Sequence, residues 1–285
     1  MEPDKNTGKK WGRLVPALLC LVLFGAAAAV FGWKIVDYLI DERTSLDYWK
    51  KLQDSVIITN TEKPPREQDR EAGNSPGTDG PAVETAEVEK PAEDPSIPAA
   101  IDFDRLREIS ADAVAWLFAP DMNINYVIAQ TDNNDYYLRR LLDGTYASGG
   151  SLFVDYRCSA DFSDWNTVIY GHQMNNGTMF GELANYRDPA YYEEHPVMYL
   201  YVPGKRYKLE LIAAYLTDIY DIIYTVPSTK VLWNEIIYQA GRESSFDPGI
   251  TVGREDKLVT LSTCAYDYDN ARYVLIGRIV EDISN

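Results

Sequence analysis

The chain has 285 residues, 44 acidic against 27 basic, with two His and three Cys. A net charge of −17 argues against a nucleic-acid partner, which needs a basic face to displace phosphate counterions. Three Cys at unrelated spacings exclude a disulfide framework, and no CxxC pair suggests a structural zinc.

The chain opens on a basic tip, residues 1–13, with Lys5, Lys9, Lys10 and Arg13. Leu14 to Trp33 then runs for twenty residues without a charge. As a helix this covers about 30 Å, the thickness of a bilayer's hydrocarbon core. The basic residues before it keep the N-terminus cytoplasmic and export the rest. The competing reading is a cleaved signal peptide, with Ala26–Ala29 near the cleavage site, but the apolar run is longer than such peptides carry. A single-pass signal-anchor is the reading adopted. The chain after residue 33 holds 23 basic against 42 acidic residues, so the acidity belongs to the exported part.

Residues 34–59 carry Ile35, Tyr38, Leu39, Leu46, Trp49 and Leu52 at helical spacing and predict a stalk helix. Residues 60–98 hold seven of the fifteen Pro, many acidic residues and no aromatic one. Such a composition cannot offset its ordering entropy by burial, and predicts a disordered, extended spacer.

Residues 101–285 form the predicted folded domain. Phe103, Leu106, Ile109, Ala113, Trp116 and Leu117 trace one helical stripe. Strand-like runs come after it at Tyr126–Gln130, Ser151–Tyr156, Thr167–His172, Val197–Val202, Tyr207–Thr217, Lys257–Cys264 and Tyr273–Val280. Short helices are expected at Asp135–Leu142, Met179–Tyr186 and Lys230–Glu243. Many short strands with few helices predict a mainly β domain, a barrel or sandwich with helical additions.

The exported domain holds only Cys158, Cys264, His172 and His195 as candidates for nucleophile and base. In KLVTLSTC, period-2 alternation puts Thr260, Ser262 and Cys264 on one face and Val259 and Leu261 on the other. A thiol on a polar face at a strand end is a plausible nucleophile; a buried inert thiol is the alternative. His172 ends the strand-like TVIYGH, where it can reach a neighbouring strand or stand as a surface turn residue. His195 reads as an exposed helix end. Arg272 opens the last strand, and the short turn between it and Cys264 predicts a hairpin that sets the two side by side. A guanidinium there can stabilise an oxyanion; the alternative is an ion pair with Asp267 or Asp269. The acidic stretches at Asp132–Asp135 and Asp267–Asp269 lack the Gly and distal Glu of a calcium loop. No spacing supports a metal site.

The segments TVIYGHQMNNGTMFGEL and TLSTCAYDYDNARYVLIGR, with SADAVAWLF, INYVIAQTDNNDYYLRR and GGSLFVDYR, carry a resemblance. Over nearly all of residues 101–285 the chain resembles class B sortases, membrane-anchored cysteine transpeptidases of Gram-positive bacteria. The resemblance implies a closed eight-stranded β-barrel with an N-terminal helix and a helix inserted before the late strands. It implies Cys264 as the nucleophile that attacks the Thr carbonyl of an LPxTG- or NPxTN-like sorting signal. His172 is then general acid and base, and Arg272 with the Ala265 backbone N–H stabilises the oxyanion. Ser262 matches a substrate-contacting position, and Thr217 to Tyr224 would line the groove. The partners implied are proteins bearing the sorting signal, an amine of a peptidoglycan precursor and the membrane, with no cofactor. Cys158 departs from the family's usual Asn after DYR and is expected to be a buried free thiol. Ala265 replaces a residue that is often polar. A pilin-polymerising sortase, a thiol hydrolase and a catalytically idle binding barrel are the rival readings.

Overall fold

The structure, a computed structural model, describes residues 8–59, 94–227 and 229–281. One helix, α1 (Gly8–Val56), joins the apolar run to the predicted stalk without a break. Its apolar part is long enough to cross a membrane, by length and composition. Leu19 to Ile40 stay exposed, whereas Trp49, Leu52 and Val56 are buried in the main core beside Trp116 and Tyr126. Gln53 donates from Nε2 to the Asn125 carbonyl at 2.7 Å, and Asn125 Oδ1 accepts from Trp116 Nε1 at 2.7 Å.

After α1 comes a two-residue strand, β1 (Ile57–Ile58), paired antiparallel with β2 (Ala100–Ile101). Most of the predicted spacer, residues 60–93, lies outside the described residues. Its ends do not. The pairing returns the chain to where it left, so the length of 60–93 does not set the distance from the apolar helix to the barrel. Ile97 and Pro98 already pack on the domain: both are buried, and the Pro98 carbonyl accepts from Tyr201 Oη at 2.6 Å.

The expected long helical stripe is two elements. Helix α2 (Phe103–Ile109) is capped by Asp102, which accepts from Arg105 N–H, and ends at Ser110 in extended backbone. Ala113–Phe118 is strand β3. Ala113, Trp116 and Leu117 fit helical spacing only by coincidence, because a barrel wall packed on both sides buries consecutive residues. The remaining strands are β4 (Asn125–Ala129), β5 (Leu152–Val154), β6 (Asn166–Tyr170), β7 (Val197–Val202), β8 (Lys205–Asp218), β9 (Leu258–Cys264) and β10 (Ala271–Glu281). They close in the order β10-β8-β7-β3-β4-β5-β6-β9, an eight-stranded barrel as expected, with β3 as the eighth strand. The β4–β5 and β6–β9 pairs are parallel and the others antiparallel.

Two predicted helices shrink to 3-10 turns, Tyr136–Arg139 and Leu183–Arg187. Helix α3 (Pro189–Glu194) starts on Pro and is capped by His195, consistent with a helix end there. Helix α4 (Lys230–Glu243) has the predicted bounds, and Thr229 caps it by accepting from Leu232 N–H. Its Trp233, Ile236 and Ala240 are buried, and Ile236 and Ala240 pack with Ile212, Val274 and Ile276 on the outer wall of the barrel.

Candidate active site

Strand β9 alternates as its sequence demands. Val259 and Leu261 enter the main core, while Thr260, Ser262 and Cys264 take the opposite face. Thr260 Oγ1 donates to Asn166 Oδ1 at 2.8 Å, and Ser262 Oγ lies 2.8 Å from Tyr224 Oη. Cys264, last in the strand, is half-buried and free.

The β9–β10 hairpin pairs Arg272 directly with Cys264. Arg272 Nη1 donates to the Ala271 carbonyl at 2.9 Å, and the Ala265 N–H donates to the same oxygen at 3.0 Å. The Ala265 N–H is therefore engaged in the hairpin rather than presented to the groove. Neither Asp267 nor Asp269 holds Arg272. Asp267 instead accepts a bidentate pair from Arg187, at 2.8 and 2.7 Å, and so ties down the hairpin turn.

His172 arrives by a long-range contact. Parallel pairing sets Tyr170 opposite Ser262, and Gly171 N–H donates to the Ser262 carbonyl at 3.1 Å. The same register continued two residues further brings His172 level with Cys264. A Cβ at position 171 would come within 2.6 Å of Leu152 and Phe180 side-chain atoms, so any larger residue would displace them. His172 Nε2 lies 2.7 Å from the Leu138 carbonyl. Burial lowers the pKa of the ring from its ordinary 6.5, more than that carbonyl raises it.

The folded ring therefore takes its proton only below the pH at which the unfolded one does. Across that interval the unfolded chain holds more protons, so stability is lost as pH falls through 6.5 toward the folded value. His172→Gln should flatten this acid-side loss in urea unfolding between about pH 5 and 7. An unchanged slope would show that the ring is as solvated as in the unfolded chain.

Cys264, His172, Arg272, Ser262 and Tyr224 all line one open groove of about 470 Å³. Thr217 does not. It pairs with Arg272 from the far side, and its hydroxyl donates to Asp221, which also accepts from Gln239 Nε2 at 2.6 Å. Asp221 itself lines the groove, with Ile219 and Tyr220.

The sequence reading missed the groove's floor. Asp155 is fully buried and accepts from Arg157 Nε and Nη2 at 2.8 and 2.7 Å and from Tyr170 Oη at 2.9 Å. Burial alone would raise its pKa, yet these donors hold it below the ordinary carboxylate value. Arg157 Nη2 also donates to the Tyr224 carbonyl at 3.1 Å, and the Tyr170 and Tyr224 rings stack at 6.2 Å. The available signal was the DYR tripeptide, whose Asp and Arg, two residues apart, form a bidentate pair.

Cys158, next to Arg157, is a buried free thiol 3.8 Å from the Asn166 carbonyl, and burial pushes its pKa up to about 11. It does not line the groove. Cys158→Ser should leave the activity of the groove intact while lowering stability by about 1–2 kcal/mol, read from activity and urea unfolding together. Lost activity in a stable variant would give this thiol a chemical role.

The sortase domain pattern matches residues 117–280. A Listeria monocytogenes sortase B is 36% identical over 180 residues, covering 61% of this chain and 72% of that protein. The Clostridium perfringens sortase B structure superposes with a TM-score of 0.60 at 29% identity, over 63% of this chain and all of that one. A Staphylococcus aureus sortase B–substrate complex gives 0.59 at 28% identity, over 63% and 84%. The chain belongs to the sortase family of cysteine transpeptidases. Within that family its relatives are sortases of class B.

Proposed function

We propose that this chain cleaves a C-terminal sorting signal of the LPxTG or NPxTN kind after its Thr. The acyl group then passes to an amine of a peptidoglycan precursor. The observation that carries the proposal is the convergence of three strands: Cys264 on β9, Arg272 opposite it on β10, and His172 just beyond β6, all on one groove. The Staphylococcus aureus relative solved as a substrate complex supports reading that groove as the peptide site.

In this mechanism Cys264 passes its thiol proton to His172, and the resulting thiolate attacks the Thr carbonyl carbon, whose oxygen becomes an oxyanion. Arg272 donates to it; the Ala265 N–H joins only by exchanging its bond to Ala271. The C–N bond breaks as His172 gives a proton to the leaving amine, leaving a thioester on Cys264. An incoming amine attacks the thioester, neutral His172 takes its proton, and the thiolate leaves. Ser262 and Tyr224 form the polar wall beside the nucleophile, and Thr217 acts through Asp221. The apolar part of α1 anchors the enzyme in the cell membrane, with the basic tip cytoplasmic and the barrel on the outer face.

The experiment offers sorting peptides with a Thr–Gly or a Thr–Asn bond to the full chain, with and without an amine. Mass spectrometry should find the acyl group on Cys264 and, with amine present, an amide adduct in place of free acid. Free acid unaffected by any amine would make the protein a hydrolase, and no cleavage of either bond would overturn the substrate class.

A further inference from the structure

Helix α1 does more than end against the barrel. Where it leaves its exposed stretch, Asp41 Oδ2 accepts from the Ser148 N–H at 3.0 Å, and Glu42 Oε1 accepts from Asn176 Nδ2 at 2.5 Å. These two consecutive carboxylates grip two different loops, and both loops bear on His172.

The first loop holds the histidine's carbonyl partner. Ser148 is clasped from its other side, since Arg139 Nη1 donates to the Ser148 carbonyl at 3.1 Å. The Ala147 N–H donates to Arg139 O, and the Ser151 N–H to Tyr137 O. Leu138, enclosed by these bonds, presents the carbonyl that lies 2.7 Å from His172 Nε2. The second loop is the chain immediately after His172. It closes through the Phe180 N–H onto the His172 carbonyl at 3.0 Å, and Asn176 stands at its tip, with its Oδ1 accepting from Thr178. Below these contacts Trp49 packs edge-on against Tyr126 at 5.3 Å, and Tyr126 Oη lies 3.4 Å from the Met179 N–H.

The geometry points to Asp41 and Glu42 as positioning residues for His172: the anchor helix holds the ring's partner loop and the ring's own loop in one frame. The apolar run ends at Trp33, so the clamp lies about 12 Å further along a rigid helix. Anchor and general acid–base are then one mechanical unit. This inference rests on the proposed role of His172.

The full chain in detergent micelles tests it. Alanine suits a helix interior, so Asp41→Ala, Glu42→Ala and the double variant should fold. The double variant should lose roughly tenfold in kcat for the sorting peptide with KM within about twofold, because the reacting ring rather than the peptide is displaced. Glu42→Gln keeps an oxygen that accepts from Asn176 and should restore activity to within about twofold of the parent. Unchanged kcat in the double variant, a loss confined to KM, or a Glu42→Gln as impaired as Glu42→Ala would each overturn the proposal. If the parent chain transfers no peptide, the functional reading fails, and the clamp is read from NMR instead. The His172 ring resonances should then shift or broaden in the double variant while those of His195 stay put; unmoved His172 resonances would overturn it.

Discussion

Cys264→Ala should abolish acyl transfer, with turnover falling by at least about 10⁴-fold and no acyl group appearing on the protein. The magnitude follows from the site. Cys264 is the only Cys lining the groove, and Cys158 is sealed in the wall with its pKa pushed up to about 11. Ser at position 264 would keep the shape and lose the soft nucleophile, and should be nearly as inactive. Arg272→Lys separates charge from geometry. It keeps the cation opposite Cys264 but gives up the planar fork that reaches the Ala271 carbonyl, and should leave a partial activity. Single-turnover mass spectrometry of the three variants checks all of this. A Cys264→Ala enzyme that still transfers peptide would overturn the role of Cys264.

The second large effect is on stability. Trp49→Ala should lower unfolding free energy by about 3–5 kcal/mol, and Leu52→Ala by about 2–5 kcal/mol, out of a total of about 5–15 for an ordinary domain. Trp49 and Leu52 are only 3% and 4% exposed, and they pack in the same cluster as barrel residues. Removing α1 altogether also uncovers the Asn125 carbonyl that Gln53 satisfies. A soluble chain starting at residue 34 should therefore resist urea well beyond one starting at residue 101. Deleting 60–93 between the paired β1 and β2 should leave the midpoint nearly unchanged, because a shorter loop closes at slightly lower entropic cost. Equal midpoints for the chains starting at 34 and 101 would show that the buried half of α1 is dispensable.

The mixture of legible and hidden features has a physical pattern. The Cys264–Arg272 pair could be read because a short turn leaves adjacent strands little choice of register, and side-chain alternation then settles the faces. Helix α4 was legible for a similar reason: its cap, its apolar stripe and its end lie within one short window. Strand β3 was misread because burial on both sides of a barrel wall erases the period-2 signal that marks a half-exposed strand. The floor of the groove was missed because Asp155, Arg157 and Tyr170 become one network only when β5 and β6 pair. Composition could not reveal that the chain on either side of 60–93 pairs at one place, because β1 and β2 are two residues each and carry no periodic pattern.

By itself the sequence determined the chemistry on offer: few thiols and imidazoles, a nucleophile on the polar face of a strand, and an arginine brought opposite it by a hairpin. It also determined an apolar helix before an acidic remainder of the chain. The tertiary structure alone decided which histidine partner loop meets the groove, what lies beneath it, and that the last turns of α1 are part of the main core. The division follows from range. Alternation, capping and short turns act over a few residues, whereas the β6–β9 pairing and the seating of α1 depend on surfaces that exist only once the barrel has closed.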